Sequence, residues 1–257
     1  MEAFIAELIL AFIQGLTEWF PVSSSGHLVL FSRLLGYENS IAFDVAVHFG
    51  TLMAVFVYFG RDVTDIVEAY LRGRWKSKQA VMGYYLLIAT IPGALIGYFL
   101  RAVFVGAFSS LTVVALGFGI TSLLLFIASL DFSASGGFGG WKAFLIGCAQ
   151  AFAILPGVSR SGSTIASGLL LGLNEKEAVR FSFLMAIPII FGAGLLELGN
   201  SRLPPAYLWA TLVAFGVGLA TIHLLLRFLG RSRKNLRWFA LYALLLALGL
   251  GTYLLVA

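Results

Sequence analysis

Six stretches of this chain are apolar over a length that crosses a lipid bilayer, and no other feature limits its fold as strongly. A transmembrane helix needs about 20 residues, within a range of roughly 17–25. The six stretches are residues 41–60, 83–100, 111–130, 179–198, 206–226 and 238–257. Of the 257 residues 60% are hydrophobic and only 11% are charged, where a soluble domain has roughly 25% charged residues. The sequence therefore predicts an all-α polytopic membrane protein with six transmembrane helices.

Two further apolar regions, residues 3–35 and 141–171, are interrupted near their middle and do not read as simple spans. The interruptions are WFPVSSSGH at 19–27 and LPGVSRSGST at 155–164. Each region predicts a short helix, a polar break and a second short helix. At membrane depth such a break is tolerated only where its backbone is buried in protein or lines a wet cavity. We therefore expect two re-entrant helix hairpins.

The two interrupted regions align without a gap at an offset of 136 residues. The alignment of QGLTEWFPVSSSGH with QAFAILPGVSRSGS matches Gln14 with Gln150, Val22 with Val158, Ser23 with Ser159, Ser25 with Ser161 and Gly26 with Gly162. Three spans follow each hairpin, so residues 1–257 are predicted to form one membrane domain of two repeats. The repeats cover about 1–132 and about 139–257. Because three is an odd number, the second repeat must enter from the opposite side, which gives an inverted-topology pair.

The distribution of basic residues predicts the orientation in the membrane. If the first hairpin enters from outside, 13 of the 17 Lys and Arg residues fall in inside loops, as the positive-inside rule requires. Only Arg33, Arg101 and Arg202 then lie outside, and both termini are external. No cleavable signal peptide is expected, because the first 20 residues lack a basic region.

Three connecting segments receive simple interpretations. The charged residues 61–78 are predicted to be a cytoplasmic surface loop, and SASGGFGG at 133–140 a flexible joint between the repeats. The basic run RSRKNLR at 231–237 is predicted to anchor on anionic lipid. The net charge of +5 is thus explained by inside loops, and no nucleic-acid partner is expected.

Inverted hairpins bring their breaks together near the bilayer midplane, so the polar residues of both breaks are expected to share one cavity. Serine favours helix N-caps, the free N–H groups of a helix N-terminus attract anions, and glycine allows close approach of the backbone. Arg160 adds a permanent charge and a fork of donors suited to phosphate. The residues expected to bind a phosphate-bearing substrate are Ser23, Ser25, Gly26, Gly157, Ser159, Ser161 and Thr164.

Four residues of the first break are candidates for the chemistry itself. Glu18 and Gln14 lie four residues apart on one face of a helix, and a carboxylate beside a phosphate cavity predicts a divalent cation with Gln14 as a neutral oxygen ligand. Ser24 and His27 supply a nucleophile and a proton carrier. Two plainer interpretations stay open: Glu18 pairs with Arg160 without chemistry, or the serines only satisfy backbone groups freed by the break.

Other polar residues in the apolar segments are given no functional role. His48 and His223 are predicted to be structural, and Asp44 and Glu197 are assigned no role. The single cysteine, Cys148, excludes an intrachain disulfide and a cysteine-cluster metal site.

The two breaks together resemble the signature regions of the undecaprenyl-diphosphate phosphatase family, the bacterial enzymes linked to bacitracin resistance. The resemblance covers nearly the whole chain, including FSFLMAIP at 181–188. The family's Glu/Gln-x-x-x-Glu motif falls on Gln14 and Glu18, and its Ser and His fall on Ser24 and His27. Its Pro-Gly-x-Ser-Arg-Ser-x-x-Thr motif falls on Pro156, Gly157, Ser159, Arg160, Ser161 and Thr164. Because Gln14 replaces a carboxylate, a second carboxylate ligand for the metal is in doubt.

The resemblance implies that the protein removes the terminal phosphate of undecaprenyl diphosphate and so recycles the lipid carrier of cell-wall synthesis. It implies dependence on Mg²⁺ or Ca²⁺, and a place in the bacterial inner membrane with the active site open to the periplasmic face. Arg160 would hold the diphosphate, with Ser24, His27 or water as attacking group. The expected partners are a polyprenyl diphosphate and membrane lipids, with a homodimer left open.

A transporter is the second function that the sequence allows. Inverted repeats with broken helices are typical of transporters, and a flippase of polyprenyl phosphate would use the same cavity. The Ser24 and His27 pair favours chemistry, because a carrier needs no nucleophile.

Overall fold

The computed structural model describes residues 2–130, 137–198 and 204–256, and over these ranges the chain is helical without any β-strand. The α-helices within these ranges are α1 (Glu2–Trp19), α2 (Ser24–Leu35), α3 (Ile41–Tyr58), α4 (Gly60–Leu71), α5 (Lys78–Phe99), α6 (Arg101–Phe108), α7 (Leu111–Ser129), α8 (Gly140–Phe152), α9 (Arg160–Leu170), α10 (Glu175–Leu198), α11 (Leu208–Leu229) and α12 (Leu236–Val256). Two single-turn 3₁₀ helices, Pro205–Tyr207 and Arg233–Asn235, precede α11 and α12.

Six of these helices are long and apolar enough to cross a membrane, namely α3, α5, α7, α10, α11 and α12. They coincide with the six apolar stretches of the sequence, so the predicted all-α, multi-pass architecture is confirmed. Bulky apolar side chains point outward from them, for example Leu116 and Leu245 at 64% and 60% exposure. An outward apolar surface of this kind fits lipid rather than water as the solvent.

Both interrupted regions have the predicted helix–break–helix form. In the first, α1 and α2 flank residues 20–23; in the second, α8 and α9 flank residues 153–159. The two second helices begin with the same cap: the Ser23 hydroxyl accepts the Gly26 N–H at 3.2 Å, and the Ser159 hydroxyl accepts the Gly162 N–H at 3.0 Å. Because these caps are 136 positions apart, the sequence match is also a match of local structure.

The segment 61–78, predicted as a loop, is wrong in that respect, because α4 occupies much of it. Its charged residues lie on an exposed face, while Val63 and Ile66 pack partly buried against the core. That helical spacing of apolar residues is short, and it was masked by the density of charge. The first half of the predicted joint at 133–140 lies outside the described residues, as do Arg202 and the side chains of Arg101 and Glu197.

Helix pairs pack closely where small residues face a neighbouring backbone. α1 packs on α11, α8 packs on α5, α7 packs on α12, and α3 packs on both α10 and α11. A Cβ added at Gly147 would lie 2.3 Å from the Ala89 carbonyl oxygen, and one at Gly50 would lie 2.4 Å from that of Thr211. Small residues at such contacts are what brings membrane helices together in the absence of a hydrophobic driving force.

The second break is fixed against α7. Gly157 has a φ of 90°, a conformation that favours glycine, and its carbonyl accepts the Thr121 hydroxyl at 2.9 Å. The same hydroxyl oxygen accepts the Ser159 N–H at 2.8 Å. One buried threonine therefore satisfies two backbone groups that the break would leave unpaired.

We predict that Gly117→Ala destabilises the protein, because a Cβ there would lie 2.3 Å from the Pro156 carbonyl oxygen. The expected loss is about 1–3 kcal/mol from overpacking, seen as a lower melting temperature in detergent. Gly119→Ala, two residues along α7, is the matched control, because no atom lies within 4 Å of its added Cβ. Equal melting temperatures for the two variants would contradict this packing.

Candidate active site

Glu18 lies at the centre of a buried polar cluster at the end of α1. The carboxylate is 6% exposed. One oxygen, Oε1, accepts Nη2 of Arg160 at 2.5 Å. The other, Oε2, accepts the Ser24 hydroxyl at 2.5 Å and Nε2 of Gln14 at 3.0 Å. The structure thus brings together residues of α1, α2 and α9 that the sequence separates by up to 142 positions.

Arg160 begins α9 and completes the ion pair that the sequence analysis left open. Its guanidinium also lies over the Trp19 ring, 5.3 Å from the ring centroid, as a cation–π contact. Its second terminal nitrogen, Nη1, is buried and has no hydrogen-bond partner. A buried unpaired donor on an arginine is unusual, and it is free to bind an oxygen of an anionic ligand.

The two breaks touch each other directly. A Cβ added at Gly26 would lie 3.0 Å from Cα of Gly157, so glycine is needed where the chains cross. The Ser161 hydroxyl donates to the Phe20 carbonyl at 3.1 Å. In the described structure the polar residues of both interrupted regions therefore belong to one site.

Ser23 adopts an uncommon backbone conformation at the first break, with a φ of 70°. It is the sole non-glycine residue with positive φ among the described residues, and such conformations persist where the surrounding structure enforces them. Its carbonyl accepts Nδ1 of His27 at 2.7 Å, and its hydroxyl lies 3.3 Å from that of Ser25. The strained residue thereby orients the histidine.

His27 is buried and both of its ring nitrogens are engaged. Because a carbonyl only accepts, Nδ1 carries the proton that it donates to Ser23. Nε2 then accepts the hydroxyl of Tyr242 at 2.7 Å. The two rings are parallel, with centroids 5.6 Å apart, and Phe118 meets the imidazole edge-on. His27 is thus bonded to α12 rather than to Ser24.

The hydroxyls of the second break take part in hydrogen bonds within the protein. The Ser159 and Ser161 oxygens are 3.3 Å apart. Thr164 donates to the Arg160 carbonyl at 2.8 Å and lies 2.6 Å from the Ser182 hydroxyl. These bonds match the plainer interpretation of the serines as partners for freed backbone groups, and a substrate-binding role for Ser159, Ser161 and Thr164 stays a prediction.

Two residues of the cluster were missed in the sequence analysis, namely Tyr242 and His48. His48 was expected to be structural, yet its Nε2 lies 3.8 Å from Oε2 of Glu18. Its one sequence signal was a lone ionisable residue inside an apolar span, which is a functional hypothesis by default. Tyr242 gave no signal, because tyrosines are common in membrane helices. His223, by contrast, contacts Tyr58 and lies apart from the cluster.

The donors around Glu18 are compatible with a divalent cation. No group of three or more His, Cys, Asp or Glu side chains suited to a metal exists among the described residues. The Gln14 side-chain oxygen, however, is buried without a hydrogen-bond partner, next to the Glu18 carboxylate. An orphaned oxygen beside a carboxylate is the kind of donor pair that Mg²⁺ and Ca²⁺ accept.

Six membrane-spanning helices around one buried polar cluster define a multi-pass membrane protein whose site is built at two helix breaks. A model of the family described as "Bacitracin resistance protein BacA" matches residues 7–249. The chain belongs to this family, and the resemblance found in its motifs is confirmed.

Curated relatives cover almost the whole chain. It is 42% identical to the undecaprenyl-diphosphatase of Syntrophotalea carbinolica, over 95% of this chain and 96% of the relative. It is 39% identical to the protein of that name from Korarchaeum cryptofilum, over 95% and 96%. It is also 39% identical to the one from Mycobacterium leprae, over 97% and 93%.

We predict that Tyr242→Phe frees Nε2 of His27. The ¹⁵N resonance of that nitrogen, observed in protein with labelled histidine, should move to the position of a nitrogen without a hydrogen bond. Tyr253→Phe changes an exposed tyrosine on the same helix and should leave the resonance in place. An unchanged resonance in Tyr242→Phe would show that the phenol does not bond to His27.

Proposed function

We propose that this protein is an integral membrane phosphatase that hydrolyses undecaprenyl diphosphate to undecaprenyl phosphate and inorganic phosphate, and so recycles the carrier of cell-wall synthesis. The observation that carries the proposal is the buried Glu18–Arg160 pair with the Ser24 hydroxyl on the same carboxylate. This arrangement combines an anion-binding group and an attacking group in one cavity. The activity named for the curated relatives supports the same assignment.

Arg160 is the group that recognises the diphosphate. Its Nη2 pairs with Glu18 while Nη1 is unpaired and buried, so a phosphate oxygen can bind Nη1 without breaking the ion pair. The first turns of α2 and α9 add N–H groups and the positive ends of two helix dipoles. Charge developing on the transferred phosphoryl group is then offset by donors that are already in place.

Ser24 is our candidate nucleophile and Glu18 is the group that receives its proton. The hydroxyl already donates to the carboxylate at 2.5 Å. As the Ser24 oxygen forms a bond to the terminal phosphorus, the bond from that phosphorus to the bridging oxygen breaks and undecaprenyl phosphate leaves. Water then hydrolyses the phosphoserine. A bound divalent cation, held by Glu18 and Gln14, would neutralise phosphate charge.

His27 is assigned to proton transfer at this site, and the alternatives remain distinguishable. Direct attack by His27 needs its Nε2 to leave Tyr242, and attack by water needs no covalent intermediate. Trapping a phosphoenzyme separates the three: phosphate on Ser24 supports our mechanism, and phosphate on His27, or on neither, overturns it.

An apolar cavity beside the cluster supports a prenyl substrate. It has a volume of about 520 Å³ and lies between the end of α1 and helices α11 and α12. Thr17, next to Glu18, and Tyr242, bonded to His27, are among its lining residues. A chain lying there would present its diphosphate to the polar cluster, while its isoprenoid carbons contact Leu and Phe side chains.

We also propose that the two halves, about 1–132 and about 139–257, form an inverted repeat with two re-entrant hairpins. The equivalent N-caps and the packing of α1 on α11 and of α8 on α5 support it. In a two-fold arrangement that relates α1 to α8 and α11 to α5, these two contacts are the same contact. The pairs α7–α12 and α3–α10 then lie across the axis.

The topology that we propose places both termini outside, in the bacterial inner membrane, with the site open to the periplasmic face. Two ion pairs, Asp62–Arg180 and Glu175–Arg233, join segments assigned to the inside. Hydrogen bonds from Tyr37 to Glu7 and between Ser40 and Tyr207 join segments assigned to the outside. This separation supports the topology, and a homodimer stays a prediction.

A transporter of polyprenyl phosphate is the second candidate. A second apolar cavity, of about 440 Å³, lies between α7 and α8 and reaches the second break at Val158. The first cavity reaches Val22, the position that matches Val158 in the repeat. Paired cavities of this kind would suit a carrier. The chemical residues are unpaired, however, since Glu18 and His27 align with Ile154 and Ser163.

We predict metal-dependent release of inorganic phosphate from undecaprenyl or farnesyl diphosphate by the purified protein in detergent. Glu18→Ala, His27→Ala and Arg160→Ala should each lower the rate by about 100-fold or more, and a chelator should do the same to the wild type. Arg33→Ala, which removes a surface arginine bonded to the Ser109 carbonyl, is the control and should retain activity. Wild-type protein that binds the lipid without releasing phosphate would favour the transporter.

We predict that Leu16→Trp, which fills part of the first cavity, raises the KM for undecaprenyl diphosphate by about tenfold, a cost typical of overpacking. Leu124→Trp changes a residue of the second cavity and serves as the control. A KM raised only by Leu124→Trp would place the prenyl chain in the second cavity instead.

A further inference from the structure

His48 and Glu18 face each other with two atoms that both accept hydrogen bonds. Nδ1 of His48 lies 2.7 Å from the Asp44 carbonyl oxygen, and because a carbonyl only accepts, Nδ1 is the nitrogen that bears the proton. Nε2 therefore presents its lone pair, and it lies 3.8 Å from Oε2 of Glu18. Two acceptors in this arrangement repel unless something positive lies between them.

The separation of these two atoms suits a shared metal ion. At 3.8 Å it is too long for a hydrogen bond. Histidine nitrogen and carboxylate oxygen bind a metal at about 2.0–2.2 Å each, so one ion can contact both atoms from between them. Metal-bound histidines also donate their other N–H to a carboxylate or a backbone carbonyl, which is what His48 does through Asp44.

Gln14 supplies the third donor. Its side-chain oxygen is buried without a partner while its Nε2 donates to Oε2 of Glu18. A half-turn of the amide exchanges the two atoms and directs the oxygen toward the carboxylate. The amide needs no deprotonation to bind a cation, and Arg160 occupies the other carboxylate oxygen.

We propose that His48 Nε2 binds the divalent cation together with Glu18 and the Gln14 oxygen. The inference rests on the proposed function only in taking Glu18 and Gln14 as cation ligands. An imidazole ligand favours transition metals over Ca²⁺ and Mg²⁺. The site of this chain should therefore bind Mn²⁺ more tightly than Ca²⁺, because its second carboxylate is replaced by an amide and an imidazole.

The test is pulsed electron paramagnetic resonance of Mn²⁺ bound to the full-length protein, purified without a histidine tag. Directly bound histidine nitrogen produces a modulation that changes when histidine is labelled with ¹⁵N. The chain has three histidines. The double variant His27→Gln/His223→Gln keeps only His48 and should retain the nitrogen modulation. His48→Gln should lose it, and His48→Ala should weaken Mn²⁺ binding by about tenfold or more.

Each result supports or overturns the inference. Bound Mn²⁺ without histidine nitrogen, or nitrogen that persists in His48→Gln, overturns it. Loss of nitrogen in the double variant shows that another histidine is the ligand. Phosphate release measured on the same samples with Mg²⁺ tests the proposed function separately. Active protein without nitrogen refutes the His48 ligand alone, and inactive protein with nitrogen refutes the phosphatase alone.

Discussion

The buried ion pair between Glu18 and Arg160 is the interaction on which the arrangement of this protein depends. A single ionised side chain at membrane depth is expensive, and each of these residues removes that cost only by contacting the other. Because one ends α1 and the other begins α9, the pair requires the two interrupted regions to meet. The glycines at the crossing, Gly26 and Gly157, allow the backbones to come close enough for the side chains to reach.

The breaks that make this pair accessible expose backbone groups that lipid cannot satisfy, and the serine-rich sequence answers that need. Ser23 and Ser159 cap the helices that follow, and Thr121 satisfies two groups of the second break from α7. Structural and functional interpretations of the hydroxyls are therefore compatible. Satisfied caps hold the breaks rigid, and a rigid break keeps Ser24 and Arg160 on the same carboxylate.

The spans, the breaks and the Glu18–Arg160 pairing could be predicted from the sequence, because each has a local or arithmetic signature. Apolar length reveals a span, proline and serine reveal a break, and the offset of the repeats relates one break to the other. His48 and Tyr242 could not be assigned in this way. Their positions depend on how α3 and α12 are rotated about their axes, and a helix that is apolar on all sides carries no periodic signal for that rotation.

The repeats share a backbone device but not a set of side chains, and this difference accounts for the polarity of the site. The first repeat supplies Glu18, Ser24 and His27, and the second supplies Arg160 at the position that matches Ser24. Gln150, the counterpart of Gln14, is buried with neither polar side-chain atom bonded, since Ile154 stands where a carboxylate would receive it. One half thus provides groups that exchange protons, and the other provides a fixed charge. Neither half alone contains the residues for phosphate cleavage, so the close contact of the two breaks is a condition for the activity that we propose.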